Sequence, residues 1–518
     1  MKLHPYIFTA IAAMASLNAT QTHAATINNA CPAQVLVKSS TSSAITVDSE
    51  LAARKLAPEF FGFNLNWVLF QRSLWNPNTH QVPAEVVGWL KAFPGAVYRY
   101  DGGGGNAWDW QDFIGDPATR PTLSFVDWLT PFKATFGPDE YLSFVKNVNG
   151  QAWYVVNIYG DTQGELQPEK MAVQAGQLSN YLATKQQEGL PNILRWELGN
   201  ELDRGSTRWL PEKLAATSKL AASEIKRYEP QAKFVSLMEE YSPQADIGIT
   251  ASQYNRRLAT GLGVQVDENA LHLYYDGLPG GRPLTSQVGA ICSAIADAKT
   301  VSPNRTPAFW ITEHARVSPN AFVDPNWTAA WARTADLEAA LGVADMIIAA
   351  AQIPEVKGAF LHALHGGNLP WPLFHKNSFG GGMHPSVVYW ALRIMRDSML
   401  EQVLPTTTSS PNNSKYLGGY DVRTMVLTDA THSKYAIWAV NRSAQALATR
   451  LTIPALKNLK VVANHTRLTD KNVKANNIMV TNRVPPIKTV LALTFDTAGA
   501  TAVTLPPYSI SAISLAKP

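Results

Sequence analysis

Cysteine is nearly absent. The 518 residues contain two, Cys31 and Cys292, too few for a disulfide framework or a cysteine-rich metal cluster. An oxidising compartment permits one bridge between them; two unpaired buried thiols are the alternative. An excess of either charge is missing too. The 44 Lys and Arg against 40 Asp and Glu leave a formal net charge of +4. Nothing forms the concentrated basic stripe that a phosphate backbone demands, which excludes nucleic acid as a partner. Beyond the first residues no run reaches the roughly 18 uninterrupted apolar positions of a membrane span. Internal repeats and low-complexity tracts are lacking as well.

What is present begins with a leader. Lys2 supplies a short positive start, Ile7 to Leu17 is apolar but too short to cross a bilayer, and Thr22-His23-Ala24 offers small residues for cleavage before Ala25. Residues 1–24 therefore read as a signal peptide, and the mature protein is expected in the periplasm or outside the cell. With 46% hydrophobic and 16% charged residues the rest has ordinary globular composition. The 15 Trp stand out. Their flat faces can stack on sugar rings, although core and domain interface account for most of them.

Short apolar runs recur along the chain, each ending in polar residues or glycine: Phe60 to Trp67, Ala96 to Tyr100, Ala152 to Tyr159, Ile193 to Leu198, Lys233 to Met238, Ala270 to Tyr275, Ala308 to Thr312 and Val356 to Leu364. Helix-like stretches lie between most of them, among them Pro138 to Val148, Pro168 to Gln187, Pro211 to Arg227 and Trp327 to Ala350. Alternating strands and helices imply parallel βα units, and eight of these imply a closed (β/α)8 TIM barrel. After a helix at Ser386 to Arg396 the texture changes. Short β-rich runs follow from about Met399, including Tyr420 to Leu427, Lys434 to Val440 and Thr489 to Phe495. The expected organisation is a barrel over 58–398 and an antiparallel β-sandwich over 399–518. Residues 25–57, with the strand-like Val35 to Val47, are expected to join that sandwich.

Active sites of such barrels gather where the strands end. The fourth strand ends Arg195-Trp196-Glu197-Leu198-Gly199-Asn200-Glu201 and the seventh Phe309-Trp310-Ile311-Thr312-Glu313-His314. These strands lie nearly opposite each other, so Glu201 and Glu313 can face across the mouth at the roughly 5 Å that retaining glycoside hydrolysis needs. One carboxylate attacks the anomeric carbon while the other gives and then takes a proton. Glu313 is assigned as nucleophile and Glu201 as acid/base.

Trp196 to Glu201 resembles the fourth-strand motif of glycoside hydrolase clan A, in which an Asn precedes the acid/base Glu. Trp310-Ile311-Thr312-Glu313 is similar to that clan's nucleophile motif, and His272-Leu273-Tyr274 to its sixth-strand His-x-Tyr. Arg99, in Tyr98-Arg99-Tyr100-Asp101-Gly102-Gly103, matches its second-strand Arg. The resemblance implies that Asn200 meets the sugar 2-hydroxyl while Arg99 and Tyr274 orient Glu313. The alternative for Arg99 is a structural ion pair. Alternation lets only one of Tyr274 and Tyr275 face inward, and the spacing from His272 favours Tyr274. Within the clan the chain looks most like alpha-L-arabinofuranosidases with a C-terminal β-sandwich, through Arg99 to Gly103, Trp108-Asp109-Trp110 and Arg120-Pro121. Asp101 stands where that family has Pro. The context Ile311-Thr312-Glu313-His314-Ala315 looks more like xylosidase and heparanase-type glucuronidase families.

Rival constellations are weaker. Gly102 to Ala107 fits a dinucleotide fingerprint formally, but the residues after it contain Gly115, Pro117 and Pro121 and do not read as the helix a pyrophosphate needs. His362, His365, His375 and His384 match no zinc spacing. No metal and no cofactor is expected, and the expected partner is a carbohydrate. Trp371 can floor a sugar subsite or close the barrel. Of Glu239 and Glu240, adjacent in sequence, at most one should face the mouth. Besides arabinofuranosidase-like hydrolysis, two readings stay open: a β-xylosidase or β-glucuronidase of the same clan, and a carbohydrate binder without catalysis.

Overall fold

The computed structural model describes residues 36–39, 42–125, 128–161, 163–204, 208–240, 248–276, 282–317, 332–367, 370–376, 382–411, 421–478 and 482–518. Residues 1–24, Cys31 and Trp327 lie outside them; Cys292, which is described, is disulfide-bonded.

Eight parallel strands close a barrel. They are β1 (Phe61–Asn64), β2 (Val97–Tyr100), β3 (Gln151–Val156), β4 (Ile193–Leu198), β5 (Phe234–Leu237), β6 (Glu268–Tyr275), β7 (Ala308–Arg316) and β8 (Val356–His362). Neighbours in sequence are neighbours in the ring, and β8 pairs with β1. Helices α1 (Ala84–Leu90), α2 (Pro138–Asn147), α3 (Pro168–Gln187), α4 (Pro211–Lys226), α5 (Ala251–Leu262), α6 (Leu284–Val301), α7 (Leu337–Ala351) and α8 (Val387–Asp397) connect or follow the strands. No helix among the described residues is long and apolar enough to cross a membrane.

The barrel is a packed core rather than a pore. Trp153, Trp310 and Phe360 fill it with ring centroids 5.1 to 5.8 Å apart, Trp153 edge to face with the other two, joined by Val97, Val235, Leu237 and Ala270. This aromatic plug leaves space for polar side chains only at the strand ends.

Two sheets form the second unit. One has seven strands, in the order Ile487–Thr494, Lys460–Thr469, Ser509–Ala516, Lys434–Asn441, Val422–Thr428, Gln402–Leu404 and Arg54–Lys55. The other has five: Leu36–Ser39, Thr406–Pro411, Ser43–Val47, Leu447–Thr452 and Ala500–Leu505. Segments ahead of the barrel thus enter both sheets. The sheets are mainly antiparallel, as expected; two strands ahead of the barrel are exceptions, since Leu36–Ser39 pairs parallel with Thr406–Pro411 and Ser43–Val47 parallel with Leu447–Thr452. Strands contributed from the far end of the chain need no hairpin, so their direction is free.

The central strand Lys434–Asn441 is buried on both faces. Tyr435 and Ile437 pack between the sheets, while Ala436 and Trp438 pack toward the barrel helices. Helix α7 lies between barrel and sandwich, and every residue in it except Glu338 is buried, which explains why its sequence is apolar apart from Glu338 and Asp345. Its start also differs from the expected Trp327: Asp336 accepts from the Ala339 amide at 2.9 Å and caps the helix there. The first apolar run is likewise split. Asn66 caps a helix at Trp67–Ser73 and ends β1 early.

Candidate active site

Glu313 projects from β7 toward the C-terminal end of the barrel, and three proton donors hold its carboxylate. Arg99 Nη1, at the end of β2, donates to Oε1 at 2.8 Å, and Asn64 Nδ2, at the end of β1, donates to the same oxygen at 3.0 Å. Tyr274 on β6 donates its hydroxyl to Oε2 at 2.6 Å. Burial favours the neutral acid, but the positive fields of His272, His362 and Arg99 together with the Tyr274 hydrogen bond outweigh it. They hold the carboxyl well below the ordinary carboxylate range.

Arg99 is fully buried and ties the site together. Nε and Nη2 form a fork on Glu197 at 2.7 and 2.8 Å, and Nη2 also donates to Asn200 Oδ1 at 2.7 Å. Glu197 in turn accepts from Trp153 Nε1 at 2.7 Å, so the barrel plug anchors the polar layer above it. Burial alone would depress the guanidinium, yet the surrounding carboxylates raise it well above its usual value. The bond to Arg99 occupies the Asn200 carbonyl and leaves its amide hydrogens as the end that can meet a hydroxyl.

Glu201 follows β4 after a tight turn. Gly199 has φ +78, and a Cβ there would come within 2.5 Å of Leu202 Cδ1; Glu201 itself has φ +51. A left-handed glutamate is uncommon, and such backbone occurs where a side chain must be aimed. Asn106, from the glycine-rich loop, clamps the turn by donating to the Asn200 carbonyl and accepting from the Asn200 amide at 3.0 Å. The Glu201 side chain is 27% exposed against 7% for Glu313, which puts it on the side open to leaving groups and water.

His272 on β6 stands between the two carboxylates. Its Nδ1 is 2.8 Å from Glu201 Oε1 and 3.6 Å from Glu313 Oε2. Donor atoms of Glu201, His272 and Glu313 all lie within 4.8 Å of one another. Burial opposes the charge on Glu201, but the His272 hydrogen bond and the Arg204 guanidinium 3.9 Å away hold the carboxyl below its ordinary value. Burial would neutralise His272, but Glu313 and the bond to Glu201 raise it above 6.5. Both shifts describe one proton shared by Glu201 and His272. The three groups have a spacing that could suit a metal ion. However, Glu313 already accepts three hydrogen bonds, and His272 Nδ1 already faces Glu201. That donor set is better suited to passing a proton.

The structure brings together every residue singled out for this cavity: Glu201, Glu313, Asn200, Arg99, Tyr274, His272 and Trp371. Trp371 sits at the rim with φ +65. Its ring is 5.5 Å from Tyr274 and 5.0 Å from His362, and its Nε1 donates to the Arg316 carbonyl at 2.7 Å. Tyr275 points the other way, toward His314. The glycine-rich stretch Gly102–Asn106 forms one 3-10 turn.

Glu239 and Glu240 do not behave as alternating strand residues, because β5 ends at Leu237. Both are engaged in ion pairs: Glu239 with Arg208 at 3.0 Å, Glu240 with Arg204 at 2.5 Å and Arg282 at 3.2 Å. Burial pushes the Glu239 carboxyl up to about 8. Asn64, Glu197 and His362 were not singled out for the site. Their signal was available, since each stands at or near the C-terminal end of a barrel strand. His362 Nε2 lies 3.9 Å from Glu313 Oε2; burial pushes its pKa down, against the pull of the Glu313 charge.

No family model and no curated protein sequence matches the chain. Solved structures do. An alpha-L-arabinofuranosidase from Thermotoga maritima superposes with a TM-score of 0.72 at 18% identity, covering 91% of this chain and 99% of the other. A family 51 alpha-L-arabinofuranosidase from Bifidobacterium longum gives 0.74 at 16%, covering 92% and 100%. A family 44 xyloglucanase from Paenibacillus polymyxa gives 0.57 at 11%, covering 92% and 100%. Over nearly its whole length the chain therefore has the fold of the arabinofuranosidases it superposes on, TIM barrel and appended β-sheets together.

Proposed function

We propose that the protein is a retaining glycoside hydrolase that cleaves O-glycosides by double displacement, with alpha-L-arabinofuranosides as its first substrate class. The observation that carries this reading is the approach of two carboxylates from β4 and β7 to within 4.8 Å, one held ionised and the other sharing a proton. That distance leaves no space for a water between nucleophile and sugar, as inversion would require. The arabinofuranosidase fold supports the choice of sugar. The residues Ile311 to Ala315 favour β-xylosides and β-glucuronides as the second class. The leader-like residues 1–24 support export from the cytoplasm.

In the first step the proton shared by His272 and Glu201 passes through the Glu201 carboxyl to the leaving oxygen while Glu313 attacks the anomeric carbon and forms a glycosyl-enzyme. The Glu201 carboxylate then draws a proton from water, the resulting hydroxide displaces Glu313, and the sugar leaves with its original configuration. Arg99, Asn64 and Tyr274 stabilise the carboxylate that Glu313 becomes again. A binder without catalysis would have to keep two buried, opposed carboxylates apart from any use, at a cost in desolvation. The test is a panel of aryl arabinofuranosides, xylosides, glucuronides and glucosides, with the product anomer read by proton NMR at early time. Release of the retained anomer from one class supports the reading; the inverted anomer, or no turnover of any class, overturns it.

The pH profile follows from the shared proton. Glu313 stays ionised far below its ordinary 4.5, so it contributes no acid limb near neutrality. The raised His272 keeps the Glu201–His272 pair singly protonated to higher pH than a free imidazole would, and activity falls on the alkaline side of that range. His272→Gln removes the imidazolium form from the one-proton state, so the basic limb of kcat/KM moves to lower pH. A limb unmoved in that variant would show that the proton resides elsewhere.

A further inference from the structure

Beyond Tyr274, β6 runs straight into the boundary between barrel and sandwich. Asp276 has φ +51; its amide donates to the Arg282 carbonyl at 2.9 Å, and its Oδ1 accepts from the Leu284 amide, the start of α6, at 3.3 Å. Its second oxygen, Oδ2, accepts from Arg442 Nη2 at 2.6 Å. Arg442 belongs to the sandwich, one residue past the strand Lys434–Asn441, and its side chain is only 4% exposed. The same guanidinium lies 3.5 Å from Asp345 of α7, which also pairs with Arg423 of the strand Val422–Thr428.

Helix α7 leaves a gap for this contact. A Cβ on Gly342 would stand 3.2 Å from Tyr275 Cε2 and 3.4 Å from Arg442 Nη2, so any side chain there would crowd both. Tyr275 continues the connection sideways. Its hydroxyl is 3.1 Å from His314 Nδ1, and the two rings stack at 22°. The ends of β6 and β7 are thus locked to each other one residue past Tyr274 and one past Glu313. A charge pair in a dry setting is weakly screened, and removing one partner leaves the other to seek water, which would draw the Asp276 turn outward.

We propose that Arg442 is a positioning residue of the active site: through Asp276, the β-sandwich fixes the end of β6 and so keeps the Tyr274 hydroxyl in bonding distance of Glu313. This rests on the reading of Glu313 as nucleophile. It gives the second unit a part in catalysis, acting on the reacting groups through β6 without touching substrate. An ion pair that only joined two domains would alter stability and leave the Tyr274–Glu313 contact alone.

The test is a double-mutant cycle. Arg442→Gln and Asp276→Asn, the latter chosen because Asn tolerates a left-handed backbone, are each measured with Tyr274 intact and with Tyr274→Phe. Thermal melts establish that every variant is folded at the assay temperature. With Tyr274 present, kcat should fall roughly 10- to 100-fold, the scale of a misplacement of about 1 Å, while KM changes less than about 2-fold. In the Tyr274→Phe background the same substitution should cost less than about 3-fold in kcat. Equal factors in the two backgrounds, or no loss of kcat with Tyr274 intact, overturn the proposal. Should Arg442→Gln not fold, Asp276→Asn decides. A crystal structure of the folded variant gives a readout that needs no turnover. The Tyr274–Glu313 separation should exceed about 3.5 Å, and its persistence at 2.6 Å would overturn the proposal. Failure of the wild-type protein to cleave any glycoside would defeat the functional reading instead, and the crystal structure would still decide this one.

Discussion

Glu313→Ala is expected to lower kcat/KM for an aryl glycoside by at least about 10^4-fold, the scale seen when a nucleophile is removed from an otherwise intact site. Arg99, Asn64 and Tyr274 all aim their donors at the Glu313 carboxylate and would lose their acceptor together. Water cannot substitute easily, because it would have to attack without a base on that face. Azide should restore turnover, since a small anion can occupy the vacated space beside Arg99, and its product should be the glycosyl azide of inverted configuration. Activity of the alanine variant within about 10-fold of the wild type, on the same scale, would remove Glu313 from the nucleophile role.

Glu201→Ala should behave differently, and the difference identifies the role. For substrates with poor leaving groups the loss should reach about 10^2- to 10^4-fold, the usual contribution of a positioned acid/base. Dinitrophenyl glycosides need no protonation to depart, so their first step should be nearly spared while the glycosyl-enzyme accumulates. Azide should then attack that intermediate and release the azide of retained configuration. The basic limb of the pH profile should also vanish, because the proton shared with His272 no longer reaches the leaving oxygen. Equal losses for good and poor leaving groups would count against Glu201 as the acid.

The two variants form a matched pair. Opposite azide anomers from the same cavity would require Glu201 and Glu313 to stand on opposite faces of one sugar. No arrangement of a single active carboxylate produces both.

Much of this site was legible before any coordinates. Glu201 and Glu313 follow runs whose length and apolar composition mark them as buried strands, and a strand that ends in a carboxylate advertises a polar cavity, whereas Arg99 and Tyr274 stood out through the resemblance to clan A motifs. The two-residue period of a strand left only one of Tyr274 and Tyr275 to face inward, and the spacing from His272 chose Tyr274. Glu197, Asn64 and His362 were harder to read for a common reason. Asn64 reaches Glu313 across 249 residues and Arg99 reaches Glu197 across 98, and only barrel closure makes those pairs neighbours. Glu239 and Glu240 stand past the end of β5, where the chain no longer has a strand period.

Element boundaries failed where a local cap competed with an apolar run. Asn66 and Asp336 each start a helix inside a stretch that hydrophobicity alone would continue. The directions of the N-terminal sandwich strands could not be read at all, because pairing between residues some 370 positions apart leaves no local pattern. What the amino-acid order determined by itself was the period of each segment, and hence eight βα units, a β-rich second unit and two glutamates at strand ends. What only the tertiary structure decided was which charges share a dielectric: Arg99 between Glu197 and Glu313, His272 between two carboxylates, and Arg442 against Asp276. Backbone period is local and survives in sequence, whereas electrostatic energy depends on distances that exist only once the barrel has closed and the sandwich has docked.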